Sequence, residues 1–96
     1  MAEITFIVSD NGTQLWYKNG KVHREDGPSH IITDGSRFWL KNNTNYRENG
    51  PAIIYRSDSQ RWYGLEGEYH RDNGPTVIYS DGVQVWYKDG IPQWII

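Results

Sequence analysis

One segment of this chain occurs three times, and nothing else in the sequence narrows the fold as much. His23-Arg24-Glu25-Asp26-Gly27-Pro28 recurs as Tyr46-Arg47-Glu48-Asn49-Gly50-Pro51 and as His70-Arg71-Asp72-Asn73-Gly74-Pro75, at spacings of 23 and 24 residues. Eleven residues beyond each proline stands a tryptophan, Trp39, Trp62 and Trp86. Trp16 holds the same place in an N-terminal unit that lacks the His-Arg-Glu-Asp-Gly-Pro segment. A period of this length marks copies of one supersecondary unit, each packed on its neighbours. The 96 residues form one domain of four units, about 1–22, 23–45, 46–69 and 70–96.

The unit reads as strand, turn, strand. Between proline and tryptophan lie Asp34-Gly35, Ser57-Asp58 and Asp81-Gly82, with Asn11-Gly12 ahead of Trp16. Asn-Gly and Asp-Gly between apolar runs are strong hairpin signals, because a type I′ turn needs positive φ at both central residues. A second turn follows each tryptophan, at Asn19-Gly20, Asn42-Asn43, Leu65-Glu66-Gly67 and Asp89-Gly90. No window places apolar residues at helical spacing, and glycines interrupt the longer stretches. The expected fold is all-β, an antiparallel meander of about four hairpin units, twisted or curled, with no significant helix.

Two-residue loops at the first turns set a register in which Ile31 pairs with Phe38 and His30 with Trp39. One face then carries Phe6, Val8, Leu15, Tyr17, Ile31, Phe38, Leu40, Ala52, Ile54, Tyr63, Ile78, Val83, Val85 and Tyr87, and this is the expected core face. The other carries Trp16, Trp39, Trp62 and Trp86 with His30, Tyr55, Tyr79 and Arg37, a candidate binding stripe. Apolar groups on both faces imply that the sheet curls, is covered by its own loops, or meets another molecule. Trp94, Ile95 and Ile96 follow the last turn and either cap the final edge or seal an oligomer contact.

Composition bounds the function. There is no cysteine, which leaves no disulfide or thiolate metal site and suits a reducing cytosol. The opening residues lack a basic region followed by a long apolar stretch, and no segment approaches the roughly 18 apolar residues of a membrane span. A net charge of −2 has the wrong sign for attracting nucleic acid. The expectation is a cytoplasmic protein with no nucleic-acid or membrane partner and no cofactor.

The three loops offer a second candidate surface: His23, Arg24, Glu25 and Asp26, then Arg47 and Glu48, then His70, Arg71 and Asp72. As chemistry these would form an acid–base or metal constellation. As architecture, the arginine bonds a loop carboxylate or carbonyl, Asp or Asn caps the turn, Gly supplies positive φ, and Pro starts the next strand. Tyr46 in place of a histidine favours architecture, since a phenol cannot act as a base near neutrality. No Gly-x-Ser-x-Gly elbow, phosphate-cradling loop or His-Glu-x-x-His motif is present, so neither a catalytic nor a metal site is expected.

The repeated Asp-Gly turn, aromatic residue and Asn-Gly turn at a period near 23 residues resemble the MORN (membrane occupation and recognition nexus) repeats. The His-Arg-x-Asp-Gly-Pro-Ala form, as in His23 to Ser29 and Tyr46 to Ala52, is most similar to a divergent group in small bacterial and phage proteins. That resemblance covers nearly the whole chain and implies a scaffold that binds proteins or lipids. The ten Lys and Arg spread among twelve acids give no clustered basic face for a membrane surface. The leading expectation is a non-enzymatic protein-binding module, a small bacterial or phage inhibitor or neutraliser of a host defence or toxin protein. Rival readings are a glycan- or nucleotide-binding protein using the aromatic faces, and a structural repeat domain of a larger assembly; a homodimer is expected as one form of association.

Overall fold

A computed structural model describes residues 3–96, and among them there is no helix. Twelve strands follow one another: β1 Ile4–Val8, β2 Gln14–Lys18, β3 Lys21–Val22, β4 His30–Ile31, β5 Arg37–Phe38, β6 Leu40–Lys41, β7 Thr44–Asn45, β8 Ile53–Ile54, β9 Gln60–Arg61, β10 Val77–Ile78, β11 Gln84–Lys88 and β12 Ile91–Ile95. The main sheet runs β1-β2-β4-β5-β8-β9-β10-β11-β12, with β3 beside β2, and β6-β7 form a separate hairpin. Every pairing is antiparallel. The sheet is an all-β meander that stays open, with β1 and β12 as its edges, and the body measures 42 × 28 × 18 Å.

Two turn chemistries build each unit. At the second turns, Asn19 and Gly20, Asn42 and Asn43, and Asp89 and Gly90 all take positive φ. They close two-residue loops between Lys18 and Lys21, Lys41 and Thr44, and Lys88 and Ile91, as the sequence implied. The first turns differ from expectation. Ile32 N–H donates to the Ser36 carbonyl and Gly35 N–H to the Ile32 carbonyl, so the loop holds three residues, Thr33 to Gly35. The same pair of bonds recurs around Gly12, Asp58 and Gly82. The last residue of each loop sits at positive φ, which gives a type I turn closed by a left-handed residue. Asp34 and Asp81 accept from the backbone N–H two residues on, which favours this longer turn.

One extra loop residue moves every pairing by one position. His30 stands opposite Phe38 and Ile31 opposite Arg37, not Ile31 opposite Phe38. Because side chains alternate with period two, the expected faces are each split between the two sides of the sheet. On one side lies the row Ile7, Leu15, His30, Phe38, Ile53, Arg61, Val77, Val85 and Ile95. Ile53, Val77 and Val85 are its fully buried members and form the centre of a small core.

The tryptophans line the other side. Trp16 N–H donates to Ser29, Trp39 N–H to Ala52 and Trp62 N–H to Thr76, which sets large and small residues alternately across the strands. Ser29, Ala52 and Thr76 are 0%, 0% and 1% exposed, so each small residue after a proline is the floor between two indoles. Buried hydroxyls add ties between strands: Ser29 Oγ accepts from Leu40 N–H, Ser36 Oγ from Arg56 N–H, Ser59 Oγ from Ser80 N–H and Thr76 Oγ1 from Tyr87 N–H.

Each repeated loop folds back over this floor. The Arg24 guanidinium lies 4.0 Å above the Trp16 ring, Arg47 4.0 Å above Trp39 and Arg71 3.9 Å above Trp62. The Nη1 of each arginine donates to the carbonyl of the proline four residues on. The glycine three residues on closes the outside. A Cβ at Gly27, Gly50 or Gly74 would approach the guanidinium to 3.0, 2.9 or 2.7 Å. These glycines do not have the positive φ that the loop motif suggested; they are glycine because the guanidinium lies against their backbone.

A cation–π contact contributes about 0.5–2 kcal/mol and a charged hydrogen bond about 1.5–3 kcal/mol, so three such stacks matter in a chain with so few buried aliphatic side chains. Gly74→Ala should therefore destabilise the chain by about 1–2 kcal/mol in urea unfolding, and should add almost nothing once Arg71→Ala is present. Gly82→Ala, which meets no neighbour but sits at φ +91°, should cost about 1 kcal/mol in either background.

Candidate functional site

The structure separates the residues of the expected aromatic stripe. Trp16, Trp39 and Trp62 lie half-buried beneath their arginines, and Trp86 meets Trp94 edge-on at 5.9 Å in the unit that has no following loop. Arg37 is exposed on this same side. His30, Tyr55 and Tyr79 lie on the opposite face. There His30 packs on Phe38 at 5.2 Å, and the Arg61 guanidinium sits between Tyr55 and Tyr79 at 5.1 and 5.3 Å. One continuous stripe containing all eight residues does not exist, because the shifted register puts them on two faces.

The loop residues, in contrast, come together as a ridge over the tryptophan side. In the first loop His23 is 6% exposed, and its Nε2 lies 2.7 Å from Glu25 Oε1, which also accepts from Lys18 Nζ at 3.1 Å. Those two partners hold the Glu25 carboxyl below its usual range, His23 contributing first. Arg24 Nε donates to Asp26 at 2.9 Å. In the third loop His70 pairs with Asp72 at 2.9 Å but is itself open to solvent. The arginines point inward and the acids outward, so the ridge presents carboxylates at its tips.

The grooves between loops are unequal. Between the first and second loops the space is about 110 Å³, bounded by Arg24, Glu25, Trp39 and Tyr46. Between the second and third it opens to about 720 Å³, within the usual range of a binding cleft. Tyr46, Trp62 and Tyr63 line this larger groove, Leu65 stands at its mouth, and Glu48, Glu68 and Asp72 supply its negative charge. The extra residue in the Leu65-Glu66-Gly67 turn, the one place where the period is 24 and not 23, lies at this groove.

Tyr63 and Tyr69 stack at 5.0 Å and Tyr69 and Tyr87 at 4.7 Å behind it. Burial, with the Tyr69 phenol beside it, pushes the Tyr63 hydroxyl well above the usual phenol range. Burial and the like charge of Arg37 lower Arg47 from its ordinary value. Leu65, Glu68, Tyr63 and Arg61 were not among the candidate site residues of the sequence, where Tyr63 stood on the expected core face and Leu65 in a turn; the lengthened turn was the one signal that pointed toward the first three.

Among the described residues no group of three or more His, Asp or Glu side chains converges on a position that could hold a metal ion. No helix among them is long and apolar enough to cross a membrane. Comparison with protein-family models, curated proteins and solved structures returned no match.

His30 gives this architecture a pH signature. Burial lowers its pKa from 6.5, so the folded chain favours the neutral ring. Its contribution to stability is present above pH 6.5 and is lost as pH falls from there through the lowered folded value. Calorimetry should show the melting temperature declining on acidification from pH 6.5, and His30→Phe should remove that limb. The separate losses from Glu25 and Asp34, whose pKa values are lowered from 4.5 and 3.8, should remain at lower pH.

Proposed function

We propose that the chain is a non-enzymatic protein-binding module that takes a cationic segment of its partner into the groove between the second and third loops. The observation that carries this reading is the groove's construction. Its floor is aromatic, its rim is carboxylate, and its two arginines, Arg47 and Arg71, are engaged with Trp39, Trp62 and the proline carbonyls. Rigid loops cost little ordering entropy on binding, and exposed carboxylates beside Tyr and Trp suit Lys or Arg side chains through charge and cation–π contact. The ion pairs of the loops, His23 with Glu25, Arg24 with Asp26 and His70 with Asp72, tie each loop to itself, which supports a binding surface.

The finer form of this reading, an inhibitor or neutraliser of a defence or toxin protein in a bacterial or phage setting, is supported by the repeat resemblance. A small size and a preformed groove suit a stoichiometric inhibitor, which needs a surface and no chemistry.

Peptide display against the chain should enrich segments bearing Lys or Arg beside an apolar residue. Binding should fall at least tenfold in the Glu48→Lys, Glu68→Lys double variant, while Asp10→Lys, on a distant turn, should leave it unchanged. An equal loss with Asp10→Lys, or enrichment of no segment, would contradict the groove assignment. Thermal stabilisation by a sugar or nucleotide that Tyr46→Ala removes would move the reading to a small ligand.

A further inference from the structure

The two edges of the sheet are built differently. In β1, Ser9 N–H donates to Thr13 and Asn19 N–H to the Glu3 carbonyl, so the odd-numbered residues turn their backbone toward β2. Alternation leaves the N–H and C=O groups of Ile4, Phe6 and Val8 directed outward. The side chains of Ile4, Phe6, Ile7 and Val8 are 64%, 51%, 45% and 57% exposed. Natural edge strands are ordinarily blunted by lysine, proline or a bulge. β1 has none of these: its sequence is Ile-Thr-Phe-Ile-Val and its register with β2 is unbroken from Ile4 to Val8. The opposite edge, β12, is blunted twice. Pro92 lacks a donor and the ladder slips between Trp86 and Tyr87.

We propose that β1 is the contact for a second copy of this chain, two β1 strands pairing antiparallel about a two-fold axis through Phe6. The outward groups are self-complementary in this register. Ile4 meets the partner's Val8, Phe6 meets the partner's Phe6, and Val8 meets the partner's Ile4, with on the order of six main-chain hydrogen bonds. The side chains also continue an existing pattern. Phe6 lies 4.6 Å from Trp16 at the end of the row that carries all the repeat tryptophans. Across the axis the partner's Phe6 becomes the next member of that row. Such a contact is isologous and closes as a dimer, whereas β1 against β12 would be head-to-tail and run on as a filament. The dimer is independent of the groove reading, since β1 and the second and third loops share no residue.

Light scattering should give twice the 11.2 kDa chain mass. Val8→Lys should weaken association at least tenfold, and Ile4→Glu combined with Val8→Lys should restore it, because the register sets those two positions face to face across the axis. Trp94→Lys should leave the dimer intact, and circular dichroism should show each variant folded. In this chain without native cysteine, Phe6→Cys should form a covalent dimer on oxidation, the paired positions lying within disulfide reach. A mass of 11.2 kDa at all concentrations, loss of the dimer through Trp94→Lys, or a folded double variant that stays monomeric would overturn the proposal.

Discussion

A guanidinium held over an indole makes three demands of the chain around it. The tryptophan must be flanked by residues small enough to leave its face open, the loop must return at the height of the ring, and the backbone outside the guanidinium must carry no Cβ. Ser29, Ala52 and Thr76 meet the first demand, the proline carbonyls that accept from the arginines meet the second, and Gly27, Gly50 and Gly74 meet the third. The repeated segment is therefore one packing unit and not a string of separate signals. Where it is missing after the fourth tryptophan, Trp94 packs edge-on against Trp86 as its cross-strand neighbour.

The stack also decides what the surface offers. With each arginine committed to a ring and a carbonyl, the acids beside it stand exposed at the ridge, Glu25, Asp26 and Asp72 in surface ion pairs, and a chain of nearly balanced charge presents a ridge of carboxylates. The depth of the grooves in that ridge depends on the turns beneath. Two-residue turns hold adjacent loops close, as at Asn42-Asn43, and the three-residue turn ending at Gly67 lies where the loops spread. A single extra residue in the period thus shapes the surface, because the larger groove combines Trp62 and Tyr63 with Glu48, Glu68 and Asp72.

The sequence made the fold class legible because the repeat, the paired turns and the absence of helical spacing all agree. It misled on register. Asp34-Gly35 fits a two-residue turn and a three-residue turn equally well by composition, and the choice is made by Gly35 N–H bonding to Ile32 and by Asp34 capping Ser36 N–H. One residue of slip sent His30, Tyr55 and Tyr79 to the face opposite the tryptophans. The loop arginines were legible as structural residues bonded to a loop carboxylate or carbonyl, but their tryptophan partners were not, since nothing in the spacing shows that a loop folds back onto an indole eight or nine residues earlier. The loop glycines Gly27, Gly50 and Gly74 were assigned to positive φ, the usual reason for glycine, when the real reason was the close approach of a side chain.

The account stands on the arginine–tryptophan stacks, and ring-current shifts report them directly. Proton NMR with assigned arginine side chains should find the δ and ε protons of Arg24, Arg47 and Arg71 moved upfield from their free values, with those of the exposed Arg37 and Arg56 unmoved. Unshifted resonances for all of these arginines in a folded chain would contradict it, since the loops would then be free of the tryptophans and the groove between them would have no fixed walls.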